Sequence, residues 1–284
     1  MVNTSYELSA NVSLLFTEHP FLDRFAAAAD AGFRAVEAWW PFADAVPSEA
    51  QLEELLGVVG ASGARLTGLN LFAGDMAAGM RGVASHPGRE AEFRGNVEVI
   101  VDIAQRTGCR HFNALYGAEL PDVSPAVHAQ TALDNLTFAT DALAPLGGMI
   151  LIEPLSGVDR YPIQTGDQAV VVVDAVAART DGGRIGLLYD TFHLSNNGDD
   201  LVAVARAHAA KIGHVQIADT PGRGQPGTGT TDFHSVLGAL DAAGYDGLIA
   251  CEYAPTVPTV PSLDWIDALP GVALPGWRCR GGSS

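Results

Sequence analysis

No run of about 20 uncharged apolar residues occurs in the sequence, so no membrane-spanning helix and no membrane partner are expected. The N-terminal segment MVNTSYELSANVSL lacks the basic-then-apolar layout of a secretory signal, and the expected compartment is the cytoplasm. Cysteine is scarce. Cys109, Cys251 and Cys279 are odd in number and form no CxxC pair, which argues against a disulfide framework or a zinc-thiolate site and predicts free thiols. No GxGxxG follows the first strand-like run, which weakens a dinucleotide-binding reading. Basic residues are few as well, 16 against 33 acidic for a formal charge of -17, and they form no cluster. Such a surface repels a phosphate backbone, so no nucleic-acid partner is expected. An anionic substrate would have to be met by single Arg, Lys or metal charges inside a cleft. The acidic surplus itself reads as solubility.

What is present points to a large core: 48% of the 284 residues are hydrophobic and 17% charged, too apolar for disorder. Strand-like runs alternate with helix-period segments and Gly/Pro/Asp punctuation, the pattern of βα units around a parallel sheet. Eight strands are expected, at Leu8 to Ser13, Ala35 to Trp39, Arg65 to Leu71, His111 to Ala114, Met149 to Glu153, Ile185 to Tyr189, Ile212 to Ile217 and Leu248 to Glu252. Among the helices, PFLDRFAAAADAG has Pro20 to open it and Gly32 to close it, and SEAQLEELLGVVGASG has Ser48 as N-cap with acidic residues in its first turn. Eight units without a break in composition predict an α/β fold, a (β/α)8 TIM barrel, in one domain over residues 1–284 with a Pro-rich extension from about residue 255 that packs outside or hangs partly loose. An open doubly wound sheet is the alternative.

Four polar residues stand at or just past the ends of four consecutive strands: Glu153 in ILIEP, Asp190 in LLYDTFH, Gln216 in GHVQIAD and Glu252 in LIACEY. Their separations of 37, 26 and 36 residues are each close to one βα unit, so neighbouring strands would present them side by side at the barrel mouth. Side chains alternate along a strand, which puts Glu153 above Leu151 and Met149, and Glu252 above Ala250 and Leu248, as a polar rim over apolar core. Three carboxylates meeting in a small cavity repel one another unless their pKa values rise or a cation joins them. An all-oxygen set suits a hard ion, Mg2+ or Mn2+, better than zinc.

Two long loops follow strands three and seven, Phe72 to Glu90 and Thr220 to Asp232, where loops of this length are usually functional. They carry or adjoin Arg81, Arg89 and Arg223, each able to clamp a carboxylate, with the glycine-flanked Arg81 and Arg223 the better candidates. His193 either binds a substrate oxygen or orients a ligand, or is a satisfied buried histidine; His214 reads as barrel packing with a hydrogen bond. Of Trp39 and Trp40, one would wall the pocket and the other face the helices.

In SANVSLLFTEHPFLDRFAAAADAGFRAVEAWWPF, GDMAAGMRGVASHPGREAEFRGNV, ILIEPLS, HVQIAD and GYDGLIACEY the chain resembles the hydroxypyruvate isomerase family of the xylose isomerase-like barrels, over about Leu8 to Glu252. GDMAAGMRG is the most specific stretch, whereas IEP and CEY endings occur across related isomerases and epimerases. The resemblance implies that Glu153, Asp190, Gln216 and Glu252 bind the metal and that Glu153 and Glu252 also transfer protons. It implies a small hydroxy-carbonyl substrate, hydroxypyruvate converted to tartronate semialdehyde, and leaves a homo-oligomer open. YDTFH looks more like the ketose 3-epimerases, which typically place His where this chain has Gln216. A ketose 3-epimerase, a 2-oxo-tetronate isomerase and a non-catalytic sugar-binding barrel are the alternatives. The related barrel endonuclease would need extra metal-binding histidines and a basic groove, and neither is evident in the sequence.

Overall fold

The eight apolar runs all form strands in a computed structural model that describes residues 5–275: β1 (Tyr6–Asn11), β2 (Ala35–Ala38), β3 (Arg65–Asn70), β4 (His111–Asn113), β5 (Met149–Ile152), β6 (Arg184–Asp190), β7 (Ile212–Ile217) and β8 (Ile249–Cys251). Cys279 lies outside the described residues. Every neighbour pairing is parallel, and β1 closes the ring by pairing with both β2, Ser9 opposite Ala35, and β8, Leu8 opposite Ile249. Strands that are covered on both faces read as nearly continuous apolar runs, which is why they stood out in the sequence.

Between the strands run α1 (Arg24–Asp30), α2 (Glu49–Ser62), α3 (Glu90–Thr107), α4 (Pro125–Leu143), α5 (Gly166–Ala177), the short α6 (Thr191–Asn196) and α7 (Leu201–Ala207), and α8 (Phe233–Ala242). Ser48 caps α2 in a full capping box with Gln51, satisfying amide groups that the helix leaves unpaired. Pro20 precedes a single 3-10 turn, Phe21–Asp23, from which α1 starts, so the expected opening is present with a tighter first turn. On α3 the buried Phe93, Val97, Ile100, Ile103 and Ala104 follow helical spacing and form its core-facing stripe. Each large side chain buried this way contributes about 1.5–3 kcal/mol.

The strand ends depart from expectation at β1. It spans Tyr6–Asn11 because the chain turns immediately afterwards, with Leu14 and Leu15 N–H both donating to the Asn11 carbonyl. Of the two arrangements expected for the segment from about residue 255, the packed one is seen as far as residue 275. Thr259–Ser262 forms a short helix, α9, Leu263, Trp265 and Ile266 are buried, and β9 (Val272–Ala273) pairs in parallel with β1 on the outside of the ring. Among the described residues, no helix is long and apolar enough to cross a membrane.

Candidate active site

Strand register places a ring of polar residues at the C-terminal end of the barrel. Asn11 of β1 lies opposite Glu37 of β2, Asn70 of β3 opposite Asn113 of β4, and Asp190 of β6 opposite Gln216 of β7. Glu153 and Glu252 directly follow the last residues of β5 and β8. All eight of these side chains are buried.

Each carboxylate is held by specific donors. Asp190 caps α6: its Oδ1 accepts from the backbone N–H of Phe192 at 2.7 Å and of His193 at 3.3 Å, while its Oδ2 is buried without a hydrogen-bond partner. Glu153 Oε2 accepts from Asn113 Nδ2 at 2.7 Å, and its Oε1 faces His193 Nε2 at 3.9 Å. Glu252 is the most occupied. Its Oε1 accepts from Asn11 Nδ2 at 2.9 Å and Trp39 Nε1 at 2.7 Å, and its Oε2 takes an ion pair from Arg223 at 2.8 Å. The Gln216 amide donates through Nε2 to Glu37 Oε1 at 2.7 Å, and its Oε1 is buried and unpartnered.

These groups feel one another. Burial pushes the Glu153 carboxyl well above the usual carboxylate range and the charge of Asp190 adds to it, only partly offset by the Asn113 hydrogen bond and Arg223. Burial also raises Glu252 well above its ordinary value; Arg223 opposes this, while Glu153 and Asp190 reinforce it. Glu37 goes the other way. Burial would raise it, but His214, with hydrogen bonds from His214, Gln216 and Asn11, holds it below the usual range. Two buried oxygens without donors, Asp190 Oδ2 and Gln216 Oε1, beside carboxyls that resist ionising together, fit a hard divalent cation.

Among the described residues, one group of His, Cys, Asp or Glu side chains, Glu153, Asp190 and His193, offers ligand atoms all within 4.8 Å of one another, a triad able to hold a metal ion. The imidazole of His193 is the least suited of the three. Its Nδ1 accepts the Ser156 backbone N–H at 2.9 Å, so a neutral ring carries its proton on Nε2, the nitrogen that faces Glu153. Burial lowers its pKa to about 4 against the opposing pull of Asp190, which keeps the ring neutral near pH 7. His193 is therefore built as a hydrogen-bond donor into the site.

Above the ring lies a cavity of about 290 Å3 lined by Trp39, Met76, Arg81, Phe192 and Arg223 together with Glu153, His193 and Glu252. Arg223 has a left-handed backbone, φ 56°, which swings its guanidinium over Phe192, 5.1 Å from the ring centre, toward Glu252 and Asp190. Its loop is gathered around the buried Asp219, whose carboxylate accepts the backbone N–H groups of Thr220, Gly227, Gly229 and Thr231. Arg81 is anchored by NH1 to the carbonyls of Met76 and Met80. The adjacent Gly82, φ 109°, pins that loop to the end of β4, where an added Cβ would lie 2.0 Å from the Leu115 carbonyl oxygen. Arg89, the third candidate, does not line this cavity; it pairs with Glu92 at 2.6 Å and lies over Phe72. Trp39 walls the cavity, and Trp40 is packed edge-on against Phe42.

Sequence reasoning singled out Glu153, Asp190, Gln216, Glu252, His193, Arg81 and Arg223, and passed over Asn11, Glu37, Asn70, Asn113 and Asp219. The signal for the first four was there: each is a polar residue inside or ending an otherwise apolar strand run, a costly placement unless it is hydrogen-bonded.

A closed parallel barrel whose strand-end carboxylates face a cavity at its C-terminal mouth has the layout of a TIM-barrel enzyme. The family model of the xylose isomerase-like TIM barrel matches residues 25–269. A relative from Streptomyces coelicolor carrying the hydroxypyruvate isomerase name is 45% identical over 265 residues, covering 92% of this chain and 95% of its own. Hydroxypyruvate isomerase from Escherichia coli K12 is 36% identical, over 91% and 97% of the two chains, and 2-oxo-tetronate isomerase from Cupriavidus necator is 36% identical, over 91% and 96%. A solved structure from Brucella melitensis, titled AP endonuclease, family 2, superposes with a TM-score of 0.82 at 32% identity, over 93% of this chain and 98% of that one. The chain belongs to the hydroxypyruvate isomerase family of xylose isomerase-like TIM barrels, and it is an isomerase.

Proposed function

We propose that this isomerase interconverts hydroxypyruvate and tartronate semialdehyde, with one divalent cation, Mg2+ or Mn2+, held by Glu153, Asp190, Gln216 and Glu252. The observation that carries the reading is the pair of buried, donor-free oxygens on Asp190 and Gln216 beside the raised carboxyl of Glu153. A hard cation bound there supplies Lewis acidity toward the adjacent oxygens of the substrate.

The chain's own groups supply the remainder. Glu153, whose Oε1 accepts no hydrogen bond, is the better placed base to remove a proton from the hydroxymethyl carbon. The electron pair left on carbon shifts to the neighbouring carbonyl and gives an enediolate. Returning a proton to that neighbouring carbon, from Glu153 itself or from a protonated Glu252 while Glu153 keeps the one it removed, together with passage of the hydroxyl proton to the former carbonyl oxygen, yields the aldehyde and completes the isomerisation with no net oxidation. His193 Nε2–H donates to a substrate oxygen, Trp39 walls the reacting carbons from water, and Arg81 with Arg223 receives the substrate carboxylate.

Arg81→Ala is expected to raise KM for carboxylate substrates by about 10- to 100-fold, the value of one charged hydrogen bond, with a much smaller change in kcat. Steady-state kinetics check it, and an unchanged KM removes Arg81 from substrate binding.

A 2-oxo-tetronate is the second reading. It offers the same carboxylate to the two arginines, and the relative of that name is as similar to this chain as the E. coli hydroxypyruvate isomerase. Proton exchange at the substrate carbons in D2O, with and without Mg2+ or Mn2+, over three- to six-carbon carbonyl compounds, separates the readings. Metal-dependent exchange into hydroxypyruvate supports the first. Exchange confined to 2-oxo-tetronates or to free ketoses overturns it, and exchange at full rate in the presence of a chelator overturns the cation.

A further inference from the structure

Within the polar ring, three donors from two strands, Asn11 of β1 and His214 and Gln216 of β7, converge on the buried carboxylate of Glu37. Asn11 Nδ2 and Gln216 Nε2 both donate to its Oε1, at 3.0 and 2.7 Å, and His214 Nε2 lies 2.7 Å from its Oε2. The identity of each donor is constrained. Asn11 accepts the Ser13 backbone N–H through its Oδ1, so its Nδ2 must face Glu37 and Glu252. With Glu37 as acceptor, the Gln216 amide keeps its nitrogen on Glu37 and leaves its Oε1 buried without a donor. Space for this carboxylate is left by Gly68, where a Cβ would lie 3.0 Å from Glu37 Cβ and 3.1 Å from Oε2.

We propose that Glu37 is a positioning residue that aims Gln216 Oε1 at the cation and, through Asn11, fixes the carboxylate of Glu252. This rests on the proposed cation site. It also supplies a reason for an amide at position 216. A carboxylate there is the stronger ligand for a hard ion on charge alone, yet it could not donate to Glu37 and would set two anions at hydrogen-bond distance.

Mn2+ binding to the purified chain, followed by the electron paramagnetic resonance signal of the free ion, tests the proposal without recourse to turnover. Glu37→Gln is expected to weaken Mn2+ binding by about 10- to 100-fold, the usual cost of losing a partner that orients a ligand. In a Gln216→Ala background the same substitution should cost less, because the route through Gln216 is cut and only the one through Asn11 to Glu252 remains. A purely structural role would lower Tm and leave the Mn2+ affinity of the folded protein unchanged. Gln216→Glu gives an independent and opposite expectation: weaker binding if Glu37 positions residue 216, tighter binding if charge alone decides. Equal affinity of Glu37→Gln and wild type, full additivity with Gln216→Ala, or tighter binding by Gln216→Glu each overturns the proposal. Failure of the wild-type chain to bind Mn2+ overturns the cation site as well, so the two failures are distinguishable.

Discussion

Glu153→Gln should lower turnover by about 100- to 10,000-fold, the usual contribution of a positioned acid–base group, while leaving the metal-free barrel at least as stable as wild type. The two halves of this expectation have one cause. Glu153 is buried among groups that disfavour its charge, so its anion is tolerated for reactivity and is costly for folding. Glutamine keeps a carbonyl oxygen to accept from Asn113 and removes the charge that burial and Asp190 disfavour. Steady-state kinetics at saturating substrate and cation, together with thermal unfolding in chelator at pH 8, read the two halves separately. Turnover within a factor of two of wild type would remove Glu153 from proton transfer. Glu252→Gln should differ in stability. Both Glu252 oxygens already accept hydrogen bonds, and an amide nitrogen facing Arg223 would set donor against donor, so this variant is expected to unfold at lower temperature.

The metal-free protein should lose stability as pH rises from about 6.5 to 8, and added Mg2+ or Mn2+ should restore it. Below that window the buried neutral His111 and His193, lowered from 6.5 to about 4, work in the opposite direction. The folded-state pKa of Glu153 is raised from 4.5 to about 8, and Glu252 is raised as well. A group with a raised folded pKa contributes stability that is fully present below its unfolded value and is lost as pH climbs through the folded one. Each such proton bends the stability curve by at most about 1.4 kcal/mol per pH unit, and the two carboxyls titrate together rather than as separate sites. Glu37 acts with the opposite sign. Its depressed pKa gives stability that is present above the ordinary carboxylate value and lost as the solution turns acid. A stability maximum on the acid side of neutrality follows for the metal-free chain. Cation at one hundred times its Kd would add about 2.7 kcal/mol, and more at pH 8 than at pH 5, because the ion binds the ionised carboxylates. Denaturant unfolding across this pH range with chelator and with Mg2+ checks it; a metal-free stability that rises steadily to pH 8 would contradict the raised carboxyls.

Legibility in the sequence followed the range of the interactions involved. β7 matched its expected span, Ile212–Ile217, because a strand buried on both faces announces itself in six adjacent letters. Ser48 could be read as the N-cap of α2 because a cap acts within the first turn, where its partner Gln51 stands three residues on. Glu37 could be seen within an apolar run but not interpreted. Its partners Asn11, His214 and Gln216 lie 26, 177 and 179 residues away along the chain, and no local pattern joins them. Flanking glycines ranked Arg81 and Arg223 above Arg89 in the sequence, but where each side chain goes was not legible there. Arg89 was drawn off by Glu92 one helical turn ahead, while Arg223 was brought to Glu252 by a left-handed backbone and a loop gathered around Asp219.

By itself the order of residues determined that this chain builds eight βα units and sets acids and an amide at the ends of successive strands. Apolar period, caps and turn residues act over a few positions and need no knowledge of the remainder of the chain. Tertiary structure alone decided that Asp190 keeps an oxygen without a donor while both oxygens of Glu252 are occupied, which nitrogen of His193 bears the proton, and why the amide of residue 216 gives its nitrogen to Glu37. Those outcomes depend on hydrogen bonds between strands and loops far apart in sequence, and such bonds exist only after the barrel has closed.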